Sequence, residues 1–106
     1  MMYGRVILRS MPRRRTIPPG PYAAIGQRIL QIRTCHKLTQ EAFCTAIDTS
    51  QGALSDWERG NKRLGLDSAI LIRKKFRVTL DWLYFGYPGG LDFEVMRQLN
   101  IPLTYK

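Results

Sequence analysis

Two cysteines, Cys35 and Cys44, and one histidine, His36, are the residues best suited to ligate a soft metal or carry a nucleophile. Three such side chains fall one short of the four ligands that a structural zinc site takes from Cys and His. The nine-position spacing of the cysteines fits no thiol redox motif. No carboxylate array surrounds His36, and no glycine-rich phosphate loop follows a strand. The expectation is therefore a protein that is not an enzyme and holds no metal or cofactor. His36 reads as a solvated residue on a connector. The cysteines read as buried or half-buried thiols rather than a disulfide, because the chain reads as cytoplasmic.

Charge offers a different chemistry. The net charge is +9. Residues 1–40 carry eight basic side chains (Arg5, Arg9, Arg13, Arg14, Arg15, Arg28, Arg33, Lys37) and no acid. Residues 41–106 carry nine basic and eight acidic ones, a net +1. A field this lopsided suits a polyanion, either nucleic acid or an anionic surface. No apolar run approaches the ~18 residues that would cross a membrane. The apolar patch near the start is shorter than the ~7–15 residues of a secretory signal core. Both point to a cytoplasmic chain with no membrane partner.

The elements that must carry these groups are helical. Residues 1–20 read as a basic arm: Arg13, Arg14 and Arg15 precede Ile17-Pro18-Pro19-Gly20-Pro21, which cannot continue a helix. From Tyr22 the period becomes helical, with Ile25, Ile29 and Ile32 on one face and Arg28 and Gln31 on others, up to about Cys35. Thr39 is an N-cap for a second helix from Gln40 to about Ile47, with Leu38 as its staple. Asp48-Thr49-Ser50 forms a turn. A third helix runs from about Gln51 to Arg59, with Gly60 as its terminating residue. A fourth spans about Leu66 to Phe76, with Ala69, Ile70, Ile72 and Phe76 apolar. Thr79 caps a short fifth carrying Leu80 and Leu83, which the glycine- and proline-rich segment from Gly86 to Gly90 stops. An amphipathic stretch from Leu91 to Leu99 follows. The expected domains are an arm over 1–20, a helix-turn-helix domain over 21–87 with its motif at about 39–59, and a tail over 88–106.

Two short helices joined by a three-residue turn suggest a helix-turn-helix. Phe43, Cys44, Ile47, Leu54 and Trp57 supply its apolar contacts, and the thiol of Cys44 is small enough for a close crossing. The segment from Leu38 to Gly60, LTQEAFCTAIDTSQGALSDWERG, resembles the Cro/C1-type (XRE-like) helix-turn-helix of phage repressors and bacterial transcriptional regulators. Leu38-Thr39-Gln40-Glu41 opens the motif, and Ser55, Trp57, Glu58 and Gly60 close it. Val78 to Gly86, VTLDWLYFG, is similar to that family's fifth helix. The likeness covers about Ile25 to Gly86.

The resemblance implies an all-α, compact five-helix lambda-repressor-like domain, here with a basic arm and a short C-terminal helix. It also implies a homodimer on double-stranded DNA, with helix three in the major groove. Carried over by position, Gln51, Gly52, Ser55 and Asp56 face the bases. Glutamine suits adenine N6 and N7, a discrimination of ~1–3 kcal/mol. Gln40, Ser50, Arg59, Asn61, Lys62 and Arg63 face phosphates. Arg33 and Glu58 match an internal ion pair. Three residues depart from the pattern. Asp48 replaces a turn glycine, although aspartate tolerates the left-handed conformation. Asp56 puts an anion where the family often has arginine or glutamine. Gly52 removes a side chain from the reading face at ~1 kcal/mol of helix propensity. Arg13, Arg14 and Arg15 are then expected to add affinity along the DNA.

A protein partner is the competing ligand, as in antitoxins and adaptors of the same fold. Asp56, Gly52 and the apolar tail from Leu91 to Leu103, with Phe93 and Met96, speak for it. That tail could equally cover the domain's own core. RNA binding is disfavoured because a sheet bearing exposed aromatics is missing. The DNA reading makes the chain a sequence-specific transcriptional regulator of repressor-like type.

Overall fold

The computed structural model describes residues 20–102. Arg13, Arg14 and Arg15 of the expected arm, and the chain end from Leu103, lie outside the described residues. Six helices follow in order: α1 (Ala23–Cys35), α2 (Gln40–Ile47), α3 (Gln51–Glu58), α4 (Leu66–Phe76), α5 (Leu80–Phe85) and α6 (Phe93–Gln98). The fold is all-α, and no strand occurs among the described residues. The helix positions follow the sequence reading, except that α6 begins later, at Phe93, where the Asp92 carboxylate caps it by accepting from the Val95 amide.

Local chemistry sets the helix ends. The hydroxyl of Thr39 accepts from the Ala42 amide, Ser50 from Ala53, and Thr79 from Trp82. Each cap satisfies an amide that its helix leaves without an internal acceptor. Asp48 ends α2 in the left-handed region at φ 56°, as the turn requires. Gly60, at φ 78°, lies just beyond the cap of α3.

One apolar core joins all six helices. Ile29 and Ile32 from α1 meet Phe43 and Ile47 from α2, Leu54 and Trp57 from α3, and Ile72 from α4. Phe43 and Phe76 stack with centroids 5.2 Å apart. Helix α1 is the hub, packed on both α3 and α5, while α4 lies against α2 and α5. The tail splits the two uses that its sequence left open. Leu91, Val95 and Leu99 are buried in the common core, whereas Phe93 stays 65% exposed. Gln31 fastens this tail by donating to the Leu99 carbonyl at 2.6 Å. Arg77 pairs with Asp92, tying the end of α4 to the start of α6. The division drawn at residue 88 is thus not a break in the core.

At two places the backbones pack too closely for any side chain to fit between them. A Cβ added at Gly26 would lie 2.2 Å from the Trp57 carbonyl oxygen and 2.8 Å from that of Glu58. Nothing but glycine lets α1 touch the last turn of α3 in this way. Gly20 and Gly60 make a second such contact: the Tyr22 amide donates to the Gly60 carbonyl at 3.1 Å, and a Cβ on Gly20 would sit 2.0 Å from that same oxygen. Gly26→Ala adds helix propensity but drives a methyl into a carbonyl that cannot move without shifting α3. We expect it to lower the stability by about 2–3 kcal/mol, measured by urea unfolding, and a neutral result would contradict this packing.

Candidate nucleic-acid interface

Helix α3 buries one side and offers the other. Leu54 is fully buried and Trp57 nearly so. With 3.6 residues per turn, Gln51, Ser55 and Arg59 then share the opposite side, with Gly52 and Asp56 beside them. Gln51 and Gly52 are exposed, and Ser55 and Asp56 are half-exposed. A Cβ added at Gly52 would meet nothing within 4 Å. No internal packing demand therefore explains that glycine.

Around the two ends of α3 lie the groups that the sequence assigned to phosphate. Ser50 uses its hydroxyl oxygen to cap the helix, accepting from Ala53 at 3.1 Å, which leaves its proton to donate outward. Arg59, Asn61, Lys62 and Arg63 are all exposed in the segment that leaves α3. The guanidinium of Arg63 lies 5.8 Å from the Tyr22 ring centroid. Tyr84 pins the far end of this segment by donating to the Leu64 carbonyl at 2.7 Å. Apart from Gln40, at the start of α2, the residues of the described chain expected at bases and phosphates thus lie along α3 and its flanks.

Gln40, expected at a phosphate, also has a partner inside the domain. Its amide nitrogen donates to Oε1 of Glu58 at 3.0 Å, so one amide proton is held inside the domain. The same carboxylate receives Arg33, from Nε at 2.7 Å to Oε2 and from Nη2 at 3.2 Å to Oε1. Arg33 also donates from Nη1 to the Leu38 carbonyl at 3.0 Å. Glu58 is therefore a knot that fastens α3 to α1 and to the first turn of α2. Resemblance pointed to the pair, but neither spacing nor periodicity pointed to Gln40 as its third member. Asp56 also differs from a free base reader: its two carboxylate oxygens lie 3.5 Å from Arg59 and 3.6 Å from Lys62.

The thiols play no visible part at this surface. Cys44 is buried on the inner side of α2. Burial pushes its thiol up from the ordinary value, and Glu58 adds to the shift while Arg33 opposes it. Burial also raises Cys35. Both thiols therefore stay protonated near neutral pH, which suits packing rather than nucleophilic chemistry. Among the described residues no helix is long and apolar enough to cross a membrane.

Glu58→Ala leaves the Arg33 guanidinium, 17% exposed, without its carboxylate. It also frees Gln40. The expected loss is about 2–3 kcal/mol, because a mostly desolvated cation is left unpaired. The check is again urea unfolding, and a loss under 0.5 kcal/mol (roughly the value of a solvated surface pair) would show that the knot is not structural.

Comparison with known proteins agrees with this geometry. Residues 29–83, just over half of the chain, match the helix-turn-helix family. The chain is 37% identical over 61 residues to the HTH-type transcriptional activator BcrR of Enterococcus faecalis, covering 58% of this chain and 30% of that protein. It is 28% identical over 72 residues to the uncharacterized HTH-type transcriptional regulator YobD of Bacillus subtilis (strain 168), covering 68% of this chain and 63% of that one. The chain therefore spans less than two thirds of either curated relative. No solved structure matches it significantly. The matched span runs from the core of α1 to α5 and encloses the capped pair α2 and α3, and the chain belongs to the helix-turn-helix family of Cro/C1-type transcriptional regulators.

Proposed function

We propose that this chain is a sequence-specific, double-stranded DNA-binding transcriptional regulator that lays α3 in the major groove. The observation that carries this reading is the split character of α3. Its inner side is locked by Leu54, Trp57 and Glu58, while Gln51, Gly52 and Ser55 form an outward polar edge that ends at Asp56, paired to Arg59 and Lys62, with Asn61 and Arg63 beyond. An α-helix with its side chains is about 10–12 Å across, which fits the width of the major groove. The capped start of α3 presents free amides that suit a phosphate.

In this role Gln51 reads a base, and the exposed cations meet the backbone. Ser50 and the remaining amide proton of Gln40 assist them. Arg13, Arg14 and Arg15 add affinity without sequence information. The protein acts in the cytoplasm as a homodimer on a two-fold operator, without catalysis or cofactor. Repression is the mode of control that asks least of such a domain, because occupancy of the operator is enough. The competing reading, in which a protein partner covers the tail, loses weight because Leu91, Val95 and Leu99 already serve the chain's own core.

The test is a titration against random duplex and against duplex enriched from a random pool, at several salt concentrations. The logarithm of the affinity should fall against log salt with a slope of about −0.9 per phosphate neutralised. A flat dependence, or no preference for the enriched duplex, sinks the proposal. Gln51→Ala should relax preference at one base pair, by about 1–3 kcal/mol. Deletion of residues 1–16 should weaken all sequences alike and flatten the slope. Gly52→Ala separates stability from binding: with open space around its Cβ, it should stabilise the free domain by about 0.5 kcal/mol. The same methyl should weaken operator binding several-fold if the helix lies against the groove floor, and unchanged binding would place Gly52 away from the DNA.

A further inference from the structure

Asp56 is an odd residue at its place. It lies in the last turn of α3, where the helix dipole disfavours an anion, on the edge assigned to DNA. Its carboxylate is engaged at both oxygens: Oδ1 lies 3.5 Å from Nη2 of Arg59, and Oδ2 lies 3.6 Å from Nζ of Lys62. The backbone keeps these partners near. The Asp56 carbonyl accepts from the amide of Asn61 at 2.9 Å and from that of Lys62 at 3.4 Å, so the chain leaving α3 folds back over Asp56. The carboxylate is 28% exposed, whereas the two cations are 65% and 73% exposed. The anion thus sits at the root of the pair, and the cations reach outward from it. Pairs this exposed add little to stability, so stability is a poor account of them.

Building on the DNA reading above, we propose that Asp56 is a specificity-determining residue that withholds Arg59 and Lys62 from the phosphates of non-cognate DNA. A random duplex offers those cations phosphates alone, and each contact must first compete with the carboxylate. An operator also offers base contacts to Gln51 and Ser55, which hold α3 in the groove and bring the phosphates close enough to win that competition. The carboxylate lowers affinity for every duplex, but it lowers non-specific affinity more. Discrimination is the ratio of the two.

Asp56→Asn is nearly isosteric and leaves the backbone contacts of residue 56 in place. Dissociation constants are measured by fluorescence anisotropy for a random duplex and for the enriched operator, between about 50 and 200 mM salt. The substitution should tighten the random duplex by about three- to tenfold and steepen its log–log salt slope by about one, because one net positive charge of the Arg59–Lys62 pair is no longer neutralised. The operator should gain less, so the ratio between the two falls. Asp56→Ser, which also removes the charge, must behave alike. In an Arg59→Gln, Lys62→Gln background the gain from Asp56→Asn should shrink below about twofold, because nothing is left to release.

An unchanged random-duplex affinity overturns the inference. So does an equal gain in the charge-stripped background, which would mean that Asp56 simply repels phosphates. A loss of preference confined to one cytosine would make Asp56 a base reader and overturn it too. Failure of the DNA reading looks different: the unsubstituted chain would then show no salt-dependent binding to either duplex, and the inference would fall with it.

Discussion

The contact between α1 and the end of α3, at Gly26, is the constraint on which the rest of the structure depends. Helix α3 has eight residues, and a helix that short is not stable alone in water. It is held from four directions. Ser50 caps its start, Leu54 and Trp57 anchor its inner side, Glu58 is tied to Arg33 and Gln40, and its last carbonyls rest against Gly26. All four fall on the inner side or the ends. The outer side can then vary without touching the fold, which is why Gly52 and Asp56 are tolerated there.

The same contact explains how much was legible in advance. Helix starts were readable because a cap is a local event: Thr39, Ser50 and Thr79 each accept from an amide three residues on. The left-handed turn at Asp48 was readable for a similar reason. Contacts between distant segments were not. Gly26 drew no reading from the helical period, and its meaning lies 31 positions away at Trp57. A glycine inside a helix was the available signal, since it costs about 1 kcal/mol relative to alanine and so asks for a reason. Arg28 and Gln31 lie on other faces than the apolar stripe of α1, which assigns them no partner. In the fold they donate to the Leu83 and Leu99 carbonyls. Both carbonyls lie at helix ends, where unpaired acceptors attract donors that no periodicity can identify.

The candidate site was legible as an address more than as a set of roles. Position on α3 fixed which residues could face a groove, and burial of Leu54 and Trp57 agrees with that choice. The roles of Gln40 and Asp56 depend on which neighbours compete for them. Gln40 was assigned by its place at a helix start, yet that place also adjoins Glu58. Asp56 was assigned to base reading by its face, yet the chain beyond α3 brings two cations to it. A polar side chain with two suitors has no role that its position alone can decide.

This competition also bears on how a basic chain stays selective. Long-range attraction to a polyanion grows with net charge and is blind to sequence. A chain of +9 therefore holds affinity easily and discrimination with difficulty. Adding base contacts raises discrimination only at the positions they read. Pairing the cations that follow a helix with a carboxylate in its last turn would lower the blind component wherever the chain lands. The two devices sit on one edge of α3, with Gln51 at its first turn and Asp56 at its last. Rigidity is what would let them act together: because Glu58 and Gly26 fix α3 as one body, a base contact at Gln51 in the proposed complex would set where Arg59 and Lys62 meet the backbone.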